Sequence, residues 1–387
     1  MPCAECGRSP GRDVVAEQLT ILGIGDAKSR HFARWATRLA ERGHEVHVAS
    51  GRVNPREGEL DGLTVHQFQE LDPLLRVPLV RRFRMAPALA GLARRVRPDV
   101  VHSHYLLPYG YWTARAGLGP LVVSPWGKDA IVDAWQSPEA EERARVGIAP
   151  ERALAYVVNS QALEDASVRL GADRAKFHRI FWHARIDGYS PEHADRSRWQ
   201  ALGWPDDAVV CLSLRNFRPY SNLDVVLRAF AKAREEAPEL YLFSSAGGGW
   251  TRDEFDRLAA ELGVEPYMAV RDVPAAELPA LTASADFAVT LADVDSSPAS
   301  LLETMASGVP LVVGLAPSMD EWIQQGEGGE LVDDRHDVDA VAAAMVRLAR
   351  DPELRRSYGE RNLREVHARF GDPTTQLEQV YRGVLEQ

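Results

Sequence analysis

The chain has 387 residues, more than one hydrophobic core ordinarily organises, so two domains of ordinary size are expected. Its hydrophobic fraction of 45% fits a globular protein; no run approaches the roughly 18 apolar residues of a membrane span and no apolar signal segment opens it, which points to a cytoplasmic protein. A formal charge of −11 argues against a nucleic-acid partner, and the three cysteines, two of them the lone pair Cys3 and Cys6, offer no metal or redox framework.

In chain order, residues 1–14 form a Pro- and Gly-containing leader expected to be flexible. LTILGIG then reads as a buried strand and leads, through Gly25, Asp26, Ala27 and Lys28, into an amphipathic stretch from His31 to Arg42. Phe32, Trp35 and Leu39 share one face of that helix, Gly43 stops it, and EVHVAS begins a second strand. Residues 76–97 are arginine-rich and contain no acid, with Pro78 and Pro87 interrupting any long helix. Such a segment either forms a solvated or ligand-facing surface or makes weak peripheral contact with an anionic membrane.

DVVHSH is the next buried-strand run. His102 and His104 lie on one face of it, no third ligand stands nearby to make a metal site, and His104, nearer the strand end, is expected in a cleft. PLVVSP runs into Trp126, Gly127, Lys128 and Asp129; glycine permits close backbone approach, and Asp129 either contacts hydroxyl or ammonium groups of a ligand or caps the following helix. After AYVVNS, the polar, turn-rich stretch between Ile186 and Trp204 marks a domain boundary.

The second half restarts with VVCLSL, a helix from Leu223 to Ala237, and YLFSSA. Arg215 directly follows the first of these strands, where an arginine can clamp a diphosphate with two parallel hydrogen bonds; Arg218 is a second candidate. Arg271, in VRDV, either meets a ligand or is solvated. DFAVTLA and VPLVVG read as two further buried strands with a helix from Pro298 to Ser307 between them, Ser297 its N-cap and Gly308 with Pro310 its stop. Free N–H groups of Ala299 and Ser300 then point at the carboxyl edge of the sheet, where phosphates bind. Glu303 stands one turn on, placed to accept two ribose hydroxyls, and Asp295 lies eight residues before it. Alternation of this kind twice over predicts an α/β protein of two doubly wound parallel sheets facing a cleft.

The acid, seven residues, acid spacing of Asp295 and Glu303, with LLETMASGVP, resembles the donor-site signature of retaining glycosyltransferases of the GT-B fold, family 4. HFARWATRLAERGHEVHV, RPDVVHSHYLLPYGYW and the arginine after VVCLSL are similar to that family too. The chain departs from it in carrying Asp295 for the usual Glu, Asp26 and Ala27 for a double glycine, Ser221 near an expected lysine, and Trp126-Gly127-Lys128-Asp129 where many relatives have a histidine. The resemblance implies an N-terminal acceptor domain over residues 15–187, a nucleotide-sugar donor domain over 188–371, and a final helix, about 372–387, that packs back on the first domain. It implies a retaining transfer from an NDP-sugar to a soluble small molecule in specialised metabolism, needing no metal or other cofactor. Arg215, Asp295 and Asp129 are then the catalytic candidates; Glu303, Ser297, Ala299, Ser300, Arg218, Arg271, Gly25 and Ala27 the donor candidates; and His31, His104, Trp126, Gly127 and Lys128 the acceptor side. A lipid-linked or polysaccharide acceptor at the inner membrane, a sugar-nucleotide epimerase and a non-catalytic sugar-nucleotide sensor are the alternative readings.

Overall fold

The computed structural model describes residues 18–51, 60, 62–245 and 252–387. The leader with Cys3 and Cys6 lies outside them, and Cys211 is buried in a strand.

Two seven-stranded sheets carry the chain. The first contains β1 (Thr20–Ile24), β2 (Glu45–Ser50), β3 (Thr64–Gln67), β4 (Val100–His104), β5 (Leu121–Ser124), β6 (Ala153–Val158) and β7 (Phe177–Arg179), in the order β3-β2-β1-β4-β5-β6-β7. The second contains β8 (Val209–Ser213), β9 (Leu240–Ser245), β10 (Met268–Arg271), β11 (Phe287–Thr290), β12 (Leu311–Gly314), β13 (Gln324–Gln325) and β14 (Gly328–Val332), in the order β10-β9-β8-β11-β12-β14-β13. Central strands such as β5, β8, β11 and β12 are buried at every residue, because helices cover both faces of a parallel sheet. That is why their sequences read as unbroken apolar runs rather than as alternations.

Near the middle of each sheet the strand order reverses, between β1 and β4 and between β8 and β11. The carboxyl edge at such a reversal leaves a crevice where the connecting segments diverge. Segments leaving β1, β5, β6, β8 and β11 all contribute to the cleft described below.

Between β7 and β8 the chain threads from one core to the other. Ile180 and Trp182 pack with the first sheet, while Phe181, Ala184, Ile186 and Trp199 pack with the second. The last helix, Pro373–Leu385, returns to the first sheet and buries Leu377, Val380, Tyr381 and Val384 there. The Tyr381 hydroxyl accepts from Trp35 Nε1 at 3.0 Å and lies 2.6 Å from His102 Nδ1, so the buried aromatic cluster on the helix Arg30–Glu41 is hydrogen-bonded as well as packed.

Candidate active site

A cleft of about 830 Å³ opens between the carboxyl edges of the two sheets, within the roughly 300–1,000 Å³ usual for small-molecule sites. Arg215 enters it from the turn after β8, and Asp295 from the loop after β11. The Arg215 Nη1 atom lies 2.7 Å from Asp295 Oδ2, both side chains being less than one fifth exposed, so the cation and the carboxylate neutralise one another in the cleft. Ala299 and Ser300, in the first turn of the helix Ala299–Ala306, line the same wall. Their N–H groups belong to the four that an α-helix leaves without an intrahelical partner.

One turn further along, Glu303 also lines the cleft although it is almost wholly buried. Burial raises its carboxyl from 4.5 to about 7, against the opposing pull of Arg34 and a hydrogen bond from Tyr189. Arg34 comes from the helix Arg30–Glu41 in the other half of the molecule, with Nη1 3.9 Å from Glu303 Oε1 and donating at 3.1 Å to the His183 carbonyl.

His31 lines the cleft from that helix, and its Nδ1 lies 2.9 Å from the His183 carbonyl oxygen. A carbonyl only accepts, so Nδ1 carries the proton. Burial, aided by Arg34, lowers the His31 pKa to about 4, which leaves a neutral ring whose Nε2 is a lone-pair acceptor at neutral pH.

The loop bearing Asp295 is held from across the cleft. Asn159, at the end of β6, donates through Nδ2 to the Ser296 carbonyl at 2.7 Å and accepts from Ser296 Oγ at 2.5 Å. Ser160 Oγ lies 2.8 Å from Ser296 Oγ, and His183 Nε2 lies 2.6 Å from the Ser297 carbonyl, so that nitrogen donates. Glu321 adds a second clamp: its carboxylate accepts from the backbone N–H of Gln161 at 2.9 Å and of Ala162 at 3.2 Å, at the start of the helix Gln161–Arg169. A carboxylate at a helix N-terminus satisfies orphan donors and complements the helix dipole.

Of the residues singled out in the sequence, the structure brings Arg215, Asp295, Ala299, Ser300, Glu303, His31 and Trp126 together in one cleft. The others stand elsewhere for identifiable reasons. Asp129 is fully buried behind the wall, where its carboxylate accepts from the N–H groups of Leu106, Trp126 and Gly127 at 2.7–2.9 Å and braces the turn that presents Trp126. Gly127 adopts a φ of +127° beside the opposite domain, where an added Cβ would sit 3.0 Å from the Ser296 Cβ. Lys128 is exposed and paired with Asp133.

His104 is wholly buried one layer beneath the cleft; its Nδ1 accepts from Trp126 Nε1 at 3.3 Å and its ring meets Trp35 and Trp182. Gly25 and Ala27 also lie outside the lining. An added Cβ at Gly25 would come within 2.8 Å of the Phe32 ring, so glycine there serves the packing of helix on strand, and the Ala27 N–H is engaged by Ser50 Oγ. Arg218 and Arg271 are exposed beside the cleft, which is lined instead by their neighbours Asn216, Tyr220, Ser221, Asp272 and Val273.

Ser297 does not cap the helix. Pro298 occupies the cap position with no side-chain bond, while Ser297 sits at a φ of +46° with its N–H donating to Ser318 Oγ and its own Oγ accepting from Trp322 Nε1. Arg34, Asn159, His183 and Tyr189 line the cleft as well, beyond the residues expected there. Asn159 carried a signal, a polar residue at the end of a buried strand; the turn-rich crossover gave His183 and Tyr189 none.

Residues 196–364 match the family described as Glycosyl transferases group 1, and residues 20–153 the family described as Glycosyl transferase 4-like. Among curated proteins, the chain is 26% identical to N-acetyl-alpha-D-glucosaminyl L-malate synthase of Bacillus anthracis, over 90% of this chain and 91% of that one. It is 29% identical to D-inositol 3-phosphate glycosyltransferase of Thermomonospora curvata, over 94% and 92%. Among solved structures, Anabaena HepE in complex with UDP-glucose superposes with a TM-score of 0.72 at 17% identity, covering 96% of this chain and all of that one. The sucrose-phosphate synthase of Thermosynechococcus elongatus superposes at 0.78 and 17% identity, covering 95% and 100%.

Proposed function

We propose that this chain, which matches glycosyltransferase families over residues 20–153 and 196–364 and shares the GT-B fold of solved glycosyltransferases, moves a sugar, with retention at the anomeric carbon, from an NDP-sugar to a small hydroxylated acceptor. The observation that carries this reading is the convergence of Arg215, Asp295, the helix start at Ala299 and Ser300, and Glu303 in one cleft.

In this reading Glu303 accepts the ribose hydroxyls, and the diphosphate lies against Arg215 and the free N–H groups of the helix. Those groups carry positive charge where negative charge grows as the bond from the anomeric carbon to the phosphate oxygen breaks. Asp295, paired with Arg215, turns its other acceptor sites to hydroxyls of the transferred sugar. The acceptor oxygen forms the new bond on the face the diphosphate leaves, through a short-lived oxocarbenium-like ion pair, and its proton passes to the leaving phosphate. No protein nucleophile and no metal enter these steps. The neutral His31 Nε2 supplies one more acceptor for a substrate hydroxyl.

Arg30, Arg34 and Arg185 also line the cleft, which suits an acceptor bearing an anionic group. Relatives named for malate and inositol phosphate fit that chemistry. A second reading, in which the acceptor is carried on a lipid, is favoured by one observation, the exposed apolar side chains taken up below.

The test is a nucleotide-sugar panel by calorimetry with wild type and Arg215→Ala, followed by NMR of the product anomer. One nucleotide class bound by wild type and weakened at least tenfold in the variant, with the donor's anomeric configuration kept in the product, supports the proposal. Binding of no nucleotide sugar overturns the donor reading, and an inverted linkage overturns retention.

A further inference from the structure

The segment 74–97 contains seven arginines and no Asp or Glu, in a chain whose formal charge is −11. Its structure separates two faces. Met85, Leu89 and Leu92 of the helix Pro78–Val96 are buried in the first domain's core, an i, i+4, i+7 stripe. Leu79 and Phe83, one turn apart on another face of that helix, are 72% and 71% exposed, and the preceding turn adds Leu74 at 49% and Val77 at 46%. Four of the eight exposed large hydrophobic side chains found among the described residues thus fall within ten positions. Single exposed apolar residues are ordinary, but a cluster marks a surface that meets something.

Arginine surrounds the cluster. Arg76, Arg82 and Arg84 are exposed among these apolar residues. Arg84 pairs with the half-buried Asp72, and Arg82 lies 3.1 Å from Glu139 in an exposed surface pair of the kind that solvent weakens. Arg81 donates through Nε to the Leu75 carbonyl at 2.8 Å and so fixes the angle between the turn and the helix.

Apolar side chains projecting between arginines match the boundary of an anionic bilayer, where rings and methyl groups enter the acyl region and guanidinium groups stay at the phosphates. The patch also follows β3 after one short helix, Phe68–Leu71, and β3 runs parallel to β2 as β2 does to β1. It therefore springs from the same carboxyl edge of the first sheet that opens on the cleft.

We propose that this surface docks the protein peripherally on an anionic lipid bilayer, with Leu74, Val77, Leu79 and Phe83 inserted and Arg76, Arg82 and Arg84 at the headgroups, setting the cleft beside the membrane surface. Docking requires no membrane span, and no helix of the described residues is long and apolar enough to make one.

The experiment is co-sedimentation of the full chain with phosphatidylglycerol-containing vesicles and with pure phosphatidylcholine vesicles. It compares wild type with Leu79→Ser/Phe83→Ser and with Arg76→Ala/Arg82→Ala, and light scattering reports the oligomeric state. Wild type is expected to bind the anionic vesicles at least tenfold more strongly than the neutral ones, with less binding as salt is raised. Each double variant is expected to lose at least tenfold while keeping its melting temperature and nucleotide affinity. A Leu74→Ser/Val77→Ser pair repeats the apolar test should the first pair fold poorly. No binding of wild type to anionic vesicles, or undiminished binding by the folded variants, overturns the proposal. So does a wild-type dimer that the Leu79/Phe83 pair dissolves, which would make the patch a self-association surface. The measurement uses neither donor nor acceptor, so its failure leaves the transfer reading untouched.

Discussion

Replacing Glu303 by Gln tests the electrostatics of the cleft and its proposed donor role in one variant. The carboxyl is raised from 4.5 to about 7, chiefly by burial. Between those values the folded chain holds a proton that the unfolded chain has lost, so stability falls as pH rises through this window and levels off above about 7. At about 1.4 kcal/mol per pH unit the full loss is on the order of 3 kcal/mol, a figure that already contains the attraction of Arg34. Gln is neutral throughout and keeps the shape, so Glu303→Gln should be the more stable protein at pH 8 by about 1–3 kcal/mol, with a difference below about 1 kcal/mol at pH 5.

Thermal or urea unfolding of both proteins at pH 5 and pH 8, without nucleotide, measures this directly. Donor binding should move the opposite way. An ionised carboxylate accepts two ribose hydroxyls better than the acid or the amide, so the variant should lose about tenfold to a hundredfold in NDP-sugar affinity. Wild-type affinity should rise about tenfold between pH 6 and pH 8 as the carboxylate forms. A Gln variant whose stability tracks wild type at both pH values, or falls below it at pH 8, refutes the reasoning about burial. One that binds donor as wild type does refutes the ribose assignment.

Asn159 holds the Asp295 loop through two hydrogen bonds to Ser296. Asn159→Ala should therefore lower kcat by about tenfold to a hundredfold while changing the Kd for nucleotide alone by less than about threefold, as steady-state kinetics and calorimetry would show. Asp129→Ala leaves three buried N–H groups without their acceptor and should cost about 3 kcal/mol of stability in denaturant titrations; a variant of wild-type stability would show that the brace is dispensable. Gly25→Ala drives a Cβ towards the Phe32 ring and should destabilise by about 1–3 kcal/mol with donor affinity intact, whereas a selective loss of donor affinity would restore Gly25 to the phosphate site.

The unbroken apolar runs of β5, β8, β11 and β12, the first three followed by a helix signal, made the two parallel sheets legible in the sequence, because strands covered on both faces need no polar alternation. Arg215, Asp295, Ala299, Ser300 and Glu303 were legible for a related reason: each stands in the segment that leaves the carboxyl end of a strand, and a parallel sheet delivers such segments to one edge. What depended on the meeting of the two domains was not legible. Arg34 beside Glu303, Asn159 on Ser296 and Glu321 on the helix start at Gln161 are pairs 137 to 269 residues apart, joined by no local period or turn chemistry. Depth was equally hidden. His104, Asp129 and Gly25 sit at strand ends or turns as cleft residues do, and only the packing of Trp126, Trp182 and Phe32 over or against them decides that they support the cleft instead of facing it. Local sequence determines which edge of a sheet a residue reaches; whether its side chain meets a ligand or another side chain is decided by what the rest of the chain places on top of it.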